Sequence, residues 1–357
     1  MIDPHVHLRD WSQSGKETLR HGLSVAWRAG LDAVFEMPNT DPPLTTRDAI
    51  QRRLADADAA LAALKVPLFH GLYAGLTASA AQIEEAVGAW RALFPRVVGL
   101  KMYAGHSTGQ MGIVEGESQA LVYQTLAKLG YTGVLAVHCE KQELLRPADW
   151  DPGRPASHAR ARPPAAEVAS VNDQKELALA AHFAGTLHVC HISTPWALDL
   201  LRERHRQPAP DTAPAQALRV TCGLTPHHAL LDAGMMEGTD GLLLLTNPPL
   251  RPPPMPSLML ERLCDGSIDW IETDHAPHTR EDKAQSFACG IPGLPYYPRF
   301  IAALAKAGVA ARRIDEITHD AICRTFGVKI ENRRRPGDTE LAGEYEFDPF
   351  AILTRAS

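Results

Sequence analysis

Short apolar runs rich in Val, Leu and Ile recur eight times along the chain, and stretches with helical spacing separate them. That alternation is the pattern of βα units repeated around a parallel sheet. The strands are expected at Ile2 to Leu8, Ala33 to Met37, Leu68 to Tyr73, Val97 to Met102, Gly133 to His138, Leu187 to Ile192, Leu218 to Cys222 and Ile268 to Thr273. Helices are expected at Gly15 to Ala29, Thr46 to Leu64, Ala80 to Leu93, Gly116 to Leu129, Ala165 to Phe183, Pro195 to Arg204 and Pro256 to Cys264. Eight strands predict a closed (β/α)8 TIM barrel, and single barrels commonly reach the present 357 residues. Arg146 to Pro164 and the Pro- and Ala-rich Gln207 to Gln216 read as long loops. Residues 1–331 are expected to form the barrel, with 332–357 as an appendage covering it.

Hydrophobic residues make up 45% and charged residues 22%, ordinary globular usage, and apolar runs such as Leu242 to Leu245 fall far short of a membrane span. A formal net charge of −6 without a long basic run argues against nucleic acid or an anionic membrane as partner, because both need clustered Lys and Arg. Arg333, Arg334 and Arg335 read as a solvated patch. The six cysteines are scattered, with no Cys-x-x-Cys pair and no secretory signal ahead of them. They read as reduced thiols, and the chain as cytoplasmic.

Histidines and an aspartate stand at the carboxyl ends of several expected strands, where barrel enzymes build their sites. In His5-Val6-His7 a period of two sends both imidazoles to one side, toward one ion, and Arg9 shares that parity. Ile2, Val6 and Leu8, on the other parity, are expected to face helices. Lys101 shares parity with Val97 and Gly99, which points it into the barrel mouth and Val98 and Leu100 outward. Two readings of Lys101 stand side by side. It pairs with an acid such as Glu272, or it becomes a carbamate that bridges two metals. His138 and His191 end two further strands and are candidate ligands. His188, three residues before His191, has the opposite parity and is expected to face the helices. Asp274 ends the last strand as a carboxylate able to hold metal and move a proton, with His278 beyond it in a loop facing substrate. Four histidines, a lysine and an aspartate exceed the needs of one tetrahedral zinc and suit two ions sharing a hydroxide, a centre for attack on an amide-like carbon.

The segments Asp3-Pro-His-Val-His-Leu-Arg-Asp10, Met37-Pro-Asn-Thr-Asp-Pro-Pro43, Leu100-Lys-Met-Tyr103, Val137-His-Cys139, His188-Val-Cys-His-Ile-Ser-Thr194, Thr225-Pro-His-His228, Asn247-Pro-Pro-Leu-Arg251 and Thr273-Asp-His-Ala-Pro-His278 resemble dihydroorotases of the amidohydrolase superfamily. They span almost the whole barrel in order. The resemblance implies that His5, His7, Lys101 and Asp274 hold one zinc, and that Lys101, N6-carboxylated, joins His138 and His191 around a second. It implies that Arg9, Asn39 and His278 grip the substrate carboxylate and that Asn247 presents backbone groups to the ring. Ser107 and Thr108 fall where lysine-bridged members carry a mobile loop, and Cys289-Gly-Ile-Pro-Gly293 resembles a loop offering backbone donors, with Gly293 as the donor because Pro292 has no N–H. The substrates implied are the small molecules N-carbamoyl-L-aspartate and L-dihydroorotate, interconverted in pyrimidine synthesis with Asp274 as proton shuttle. A homodimer is compatible with this reading. So is a compact form, lacking the small β-sandwich that flanks many relatives, since only one or two residues precede the first strand.

Two other readings compete. A sibling cyclic amidase (hydantoinase, dihydropyrimidinase or allantoinase) shares barrel and metals but not the carboxylate grip. A noncatalytic barrel partnering aspartate carbamoyltransferase is expected to lose ligands, whereas every ligand position here is filled. Zinc, cobalt and manganese all accept this ligand set. The inward position of Glu272 has no explanation in the sequence.

Overall fold

The structure is a computed structural model that describes residues 1–107, 111–205, 218–238, 240–333 and 341–355. Eight strands form one sheet in sequential order: β1 (Ile2–Val6), β2 (Ala33–Glu36), β3 (Phe69–Gly75), β4 (Val97–Tyr103), β5 (Val134–His138), β6 (Thr186–Val189), β7 (Arg219–Leu224) and β8 (Trp270–Ile271). Every pairing is parallel, as right-handed βα crossovers demand. The last strand is short, and the sheet closes on β1 through a single parallel bridge between Val6 and His275 and a 2.7 Å bond from His7 N–H to the His275 carbonyl.

The helices are α1 (Leu19–Arg28), α2 (Arg47–Leu64), α3 (Ala80–Leu93), α4 (Gly116–Lys128), α5 (His158–Ala161), α6 (Pro164–Ala180), α7 (Pro195–His205), α8 (Pro226–Leu230), α9 (Met255–Cys264), α10 (Arg280–Gln285), α11 (Tyr297–Lys306), α12 (Ala311–Asp315), α13 (Ala321–Phe326) and α14 (Ala351–Arg355). Capping hydroxyls set several starts: Thr18, Thr46 and Ser79 each accept from the backbone N–H three residues on. The first helix therefore begins at Leu19 rather than Gly15. Residues 146–164 are not a plain loop, since they carry two short 3-10 turns and α5. Among the described residues no helix is long and apolar enough to cross a membrane.

Apolar side chains divide into two layers. Val6, Leu8, Leu100, Met102, Leu187 and Val189 pack outward against the helices. Ile2, Phe35, Tyr73, Val98, Val134, Ala136, Cys190 and Trp270 fill the barrel interior, and Ile322 and Phe326 of α13 plug its lower end. Phe326 meets the rings of Phe35, Tyr73 and Trp270 at centroid distances of 5.1, 6.0 and 5.9 Å. Two expectations of parity fail here. Ile2 and Val98 point into the barrel because the ladder shifts register between Asp3 and Val6 and between Leu72 and Tyr73. Beyond each shift the alternation resumes, so His5, His7 and Lys101 still reach the mouth.

Outside β2 the core holds a charge pair. Arg53 of α2 donates to both oxygens of Glu36, and His70 of β3 lies 2.8 Å from Glu36 Oε2, all three fully buried. Burial alone would push the Glu36 carboxyl up, but Arg53 and His70 hold it down at about 2. Arg53 also donates to the carbonyls of Leu8 (3.3 Å) and Arg9 (2.9 Å), which fixes the chain as it leaves β1.

Two stability experiments check this description. Phe326→Ala should cost about 3 kcal/mol or more in urea unfolding, the usual penalty for emptying an aromatic site, and a loss below about 1 kcal/mol would show the plug to be dispensable. Glu36→Gln should cost about 3–5 kcal/mol at neutral pH by taking from Arg53 its buried carboxylate partner. Because the folded Glu36 pKa lies below its ordinary 4.5, its contribution is complete above pH 4.5 and disappears as pH falls towards 2. The gap between wild type and variant should therefore narrow over that window.

Candidate active site

The carboxyl ends of the strands surround a narrow cleft lined by His5, His7, Arg9, Asn39, Tyr103, Ser107, His138, His191, Asn247, Asp274, Ala276, Cys289 and Gly290. Local backbone geometry aims these side chains. Arg9, His191 and Asp274 adopt left-handed φ values of 40°, 36° and 49°, a conformation that non-glycine residues adopt at a cost. Each strained residue is tied down. The Arg9 carbonyl is held by Arg53. The His191 N–H donates to Glu272 Oε1 at 2.5 Å, and Thr273, before Asp274, donates through N–H and hydroxyl to Asp3 at 3.1 and 2.5 Å.

Asp274 Oδ1 lies 2.9 Å from His7 Nε2 and 3.2 Å from His5 Nε2. One ligand atom from each of these residues fits within 4.8 Å of the others, close enough to hold a single ion. His138 Nδ1 faces His191 Nε2 at 3.2 Å, and the His5 and His191 ring centroids are 5.2 Å apart. Two imidazole nitrogens aimed at each other in a buried pocket suit a shared cation. Burial lowers the pKa of His138, of His191 well below the ordinary value, and of His7 to about 4, so their lone pairs are available. Asp274 is held well below the usual carboxylate range, since burial is outweighed by His5 and His7. The donor set fits divalent metal.

Lys101 is fully buried, its Nζ 3.0 Å from Cys190 Sγ and 4.9 Å from the centroid of the Tyr103 ring. No carboxylate stands at ion-pair distance from it among the described residues, so the pairing with Glu272 is not formed. Glu272 has other partners: His188 Nε2 at 3.0 Å, Trp270 Nε1 at 3.1 Å, the His191 N–H, and His5 Nδ1 at 3.4 Å. His188 thus corrects an expectation. It points into the barrel and stacks on Trp270 at 4.6 Å, because the left-handed turn at His191 lets His188 and His191 share one side despite their odd spacing.

Arg9 and His278 stand together, with Arg9 donating from Nε to the Pro277 carbonyl (3.2 Å) and its NH2 3.1 Å from His278 Nε2. His278 is kept neutral by burial and by Arg9, so it accepts that bond. Asn39 Oδ1 lies 2.6 Å from His7 Nδ1, and Asn247 Oδ1 lies 3.0 Å from His158 Nε2. Ser107 lines the cleft, whereas Thr108 lies outside the described residues. Gly293 packs against Thr273, and Cys289 and Gly290 are the members of its loop that reach the cleft. Sequence reasoning missed Tyr103 and Glu140. Both lie two residues beyond a singled-out residue, Lys101 and His138, and the period of two could have found them.

No family model matches the chain. The dihydroorotase of Methanothermobacter thermautotrophicus is 31% identical over 344 residues, covering 94% of this chain and 71% of that protein. That of Halobacterium salinarum is 31% identical over 354 residues, covering 96% and 75%. Among solved structures, L-hydantoinase from Arthrobacter aurescens superposes with a TM-score of 0.78 at 21% identity, covering 95% of this chain and 73% of that one. Dihydropyrimidinase from Brevibacillus agri gives 0.75 at 20% identity, covering 91% and 70%. At such identities the solved structures speak for the barrel alone. The curated relatives, 31% identical over more than nine-tenths of this chain, decide the family: this chain belongs to the dihydroorotases.

Proposed function

We propose that the chain interconverts N-carbamoyl-L-aspartate and L-dihydroorotate by making and breaking one cyclic amide bond. The observation that carries this reading is the meeting of His5, His7, Asp274, His138 and His191 on one cleft with the Arg9 guanidinium at its side. His5, His7, Lys101 and Asp274 would hold one divalent ion, expected to be zinc, and Lys101, His138 and His191 the other. Ions bound there lower the pKa of water and polarise a carbonyl. A carbamate on Lys101 is supported by its burial at the strand end with no carboxylate at ion-pair distance among the described residues.

The chain's own groups do the rest. Arg9, braced by Pro277 and His278, offers a planar fork that suits the substrate carboxylate. Asn39 Oδ1, 2.6 Å from His7 Nδ1, would take that N–H and leave the Nε2 lone pair for an ion held together with Asp274. Asp274, ionised and inside the cleft, can take a proton and deliver it to the ring nitrogen. Asn247, steadied by His158, and Ser107 border the space for the ring. We read 332–357 as an appendage on a barrel of 1–331, supported by the Tyr345 hydroxyl donating to Glu17 and by Phe347 and Phe350 packing with Leu245 and Ile291.

Purified, zinc-loaded protein should open dihydroorotate and close carbamoyl aspartate. A protein that instead opens hydantoin or allantoin and leaves dihydroorotate intact would refute the proposal. Asp274→Asn should lower kcat by about 10²-fold or more, the usual worth of a positioned acid–base group. Lys101→Ala should lose bound metal and rate, and short carboxylic acids should restore part of both. Wild-type metal content and rate in that variant without additive would exclude the carbamate.

A further inference from the structure

We infer that the buried pair Glu140 and Arg162 is a positioning unit for His138, and that it ties the set of that imidazole to two segments bordering the cleft. The inference rests on the reading of His138 as a metal ligand. Glu140 lies two residues beyond His138 at the end of β5, and its Oε2 is 3.1 Å from His138 Nε2. The other nitrogen, Nδ1, faces His191. One edge of the ring would thus face an ion while the opposite edge faces a carboxylate, an arrangement that would hold the ring orientation and make the ligand more basic.

Glu140 is fully buried, does not line the cleft, and has Arg162 as its counter-ion, with the Arg162 Nε 3.1 and 3.0 Å from its two oxygens. A buried pair of this kind adds little stability over apolar residues of the same volume. Its neighbours suggest what it does instead. Arg162 NH2 donates to the His106 carbonyl at 2.8 Å, next to the cleft residue Ser107. The Arg162 carbonyl accepts from Arg251 NH1 at 2.6 Å, and Arg251 ends the segment that begins at the cleft residue Asn247. Arg251 is itself anchored to Ser193 Oγ at 2.9 Å and Glu167 at 3.3 Å. Arg162 therefore holds, through its guanidinium, the carboxylate behind His138 and the start of the segment after β4, and, through its carbonyl, the segment before α9. Segment 146–164, which looks like a plain connection in the sequence, delivers that guanidinium. Coupling of this sort is reciprocal, so an ion at His138 should steady both segments.

His5 has a different carboxylate behind it, Glu272 at 3.4 Å, so the two halves of the site can be tested apart. Zinc would be titrated into metal-free full-length wild type, Glu140→Gln, Glu140→Asp and the double variant E140Q/R162Q against a chromogenic chelator. The expected result is that Glu140→Gln weakens one of two ions by about 10- to 100-fold and leaves the other at wild-type affinity, with partial recovery in Glu140→Asp. The double variant leaves no unpaired buried charge and should fold while showing the same one-ion loss. Folded Glu140→Gln and double variants that bind both ions as tightly as wild type would overturn the inference. Equal weakening of both ions with a lowered melting temperature of the metal-free protein would overturn it too, by reducing the pair to a structural part. A wild type that takes up no zinc overturns this inference together with the functional reading, whereas normal uptake with unaffected variants overturns this inference alone.

Discussion

Glu272 places a carboxylate in the middle of the barrel, directly beneath the cleft, and the surrounding site is arranged to make that burial tolerable. A buried charge without partners costs several kcal/mol, so Glu272 must be surrounded by donors. Those donors come from different strand ends: His188 and the His191 N–H from β6, Trp270 from β8, with His5 of β1 close by. Burial would discharge His188, but Glu272 outweighs it and holds its pKa at about 9, so the pair is ionic at neutral pH. One anion thereby sets the directions of β1, β6 and β8 at the level where the ligands begin.

Farther from the cleft, buried ion pairs serve the backbone as much as each other. Arg53 satisfies Glu36 and also clamps the carbonyl of Arg9, one of three non-glycine residues lining the cleft that are held at positive φ. Arg162 satisfies Glu140 and also fixes the carbonyl of His106. Strained residues cost roughly 1–3 kcal/mol each and persist only where surrounding contacts over-determine them. Here an arginine fork holds Arg9, since a guanidinium has donors to spare once its carboxylate is matched, while the carboxylates of Glu272 and Asp3 hold His191 and the residue before Asp274.

The barrel was legible because a βα alternation repeated eight times admits one economical closure, and the candidate ligand histidines were legible because they stand at strand ends. Strand parity was the weak step. Register shifts turned Ile2 and Val98 inward, and the left-handed turn at His191 brought His188 onto the site's side, events that period-two counting cannot see. The helices α10, α12 and α13, of six, five and six residues, are too short to show a helical period and were not read. The partners of Glu140 and Glu272 were not legible, because Arg162 and His188 lie far away in the chain and no local pattern connects them.

The barrel's seam has a mechanical meaning. Between β8 and β1 the sheet has one bridge and one main-chain bond, helped by the Asp3 carboxylate across Thr273, and the pair of strands it joins carries His5, His7 and Asp274. An ion bound by those three side chains would span the seam as a cross-link between the first and last strands of an otherwise open sheet. Closing the cylinder and loading that ion would then be coupled, each favouring the other, so that the group proposed for the chemistry would also act as a buckle of the fold.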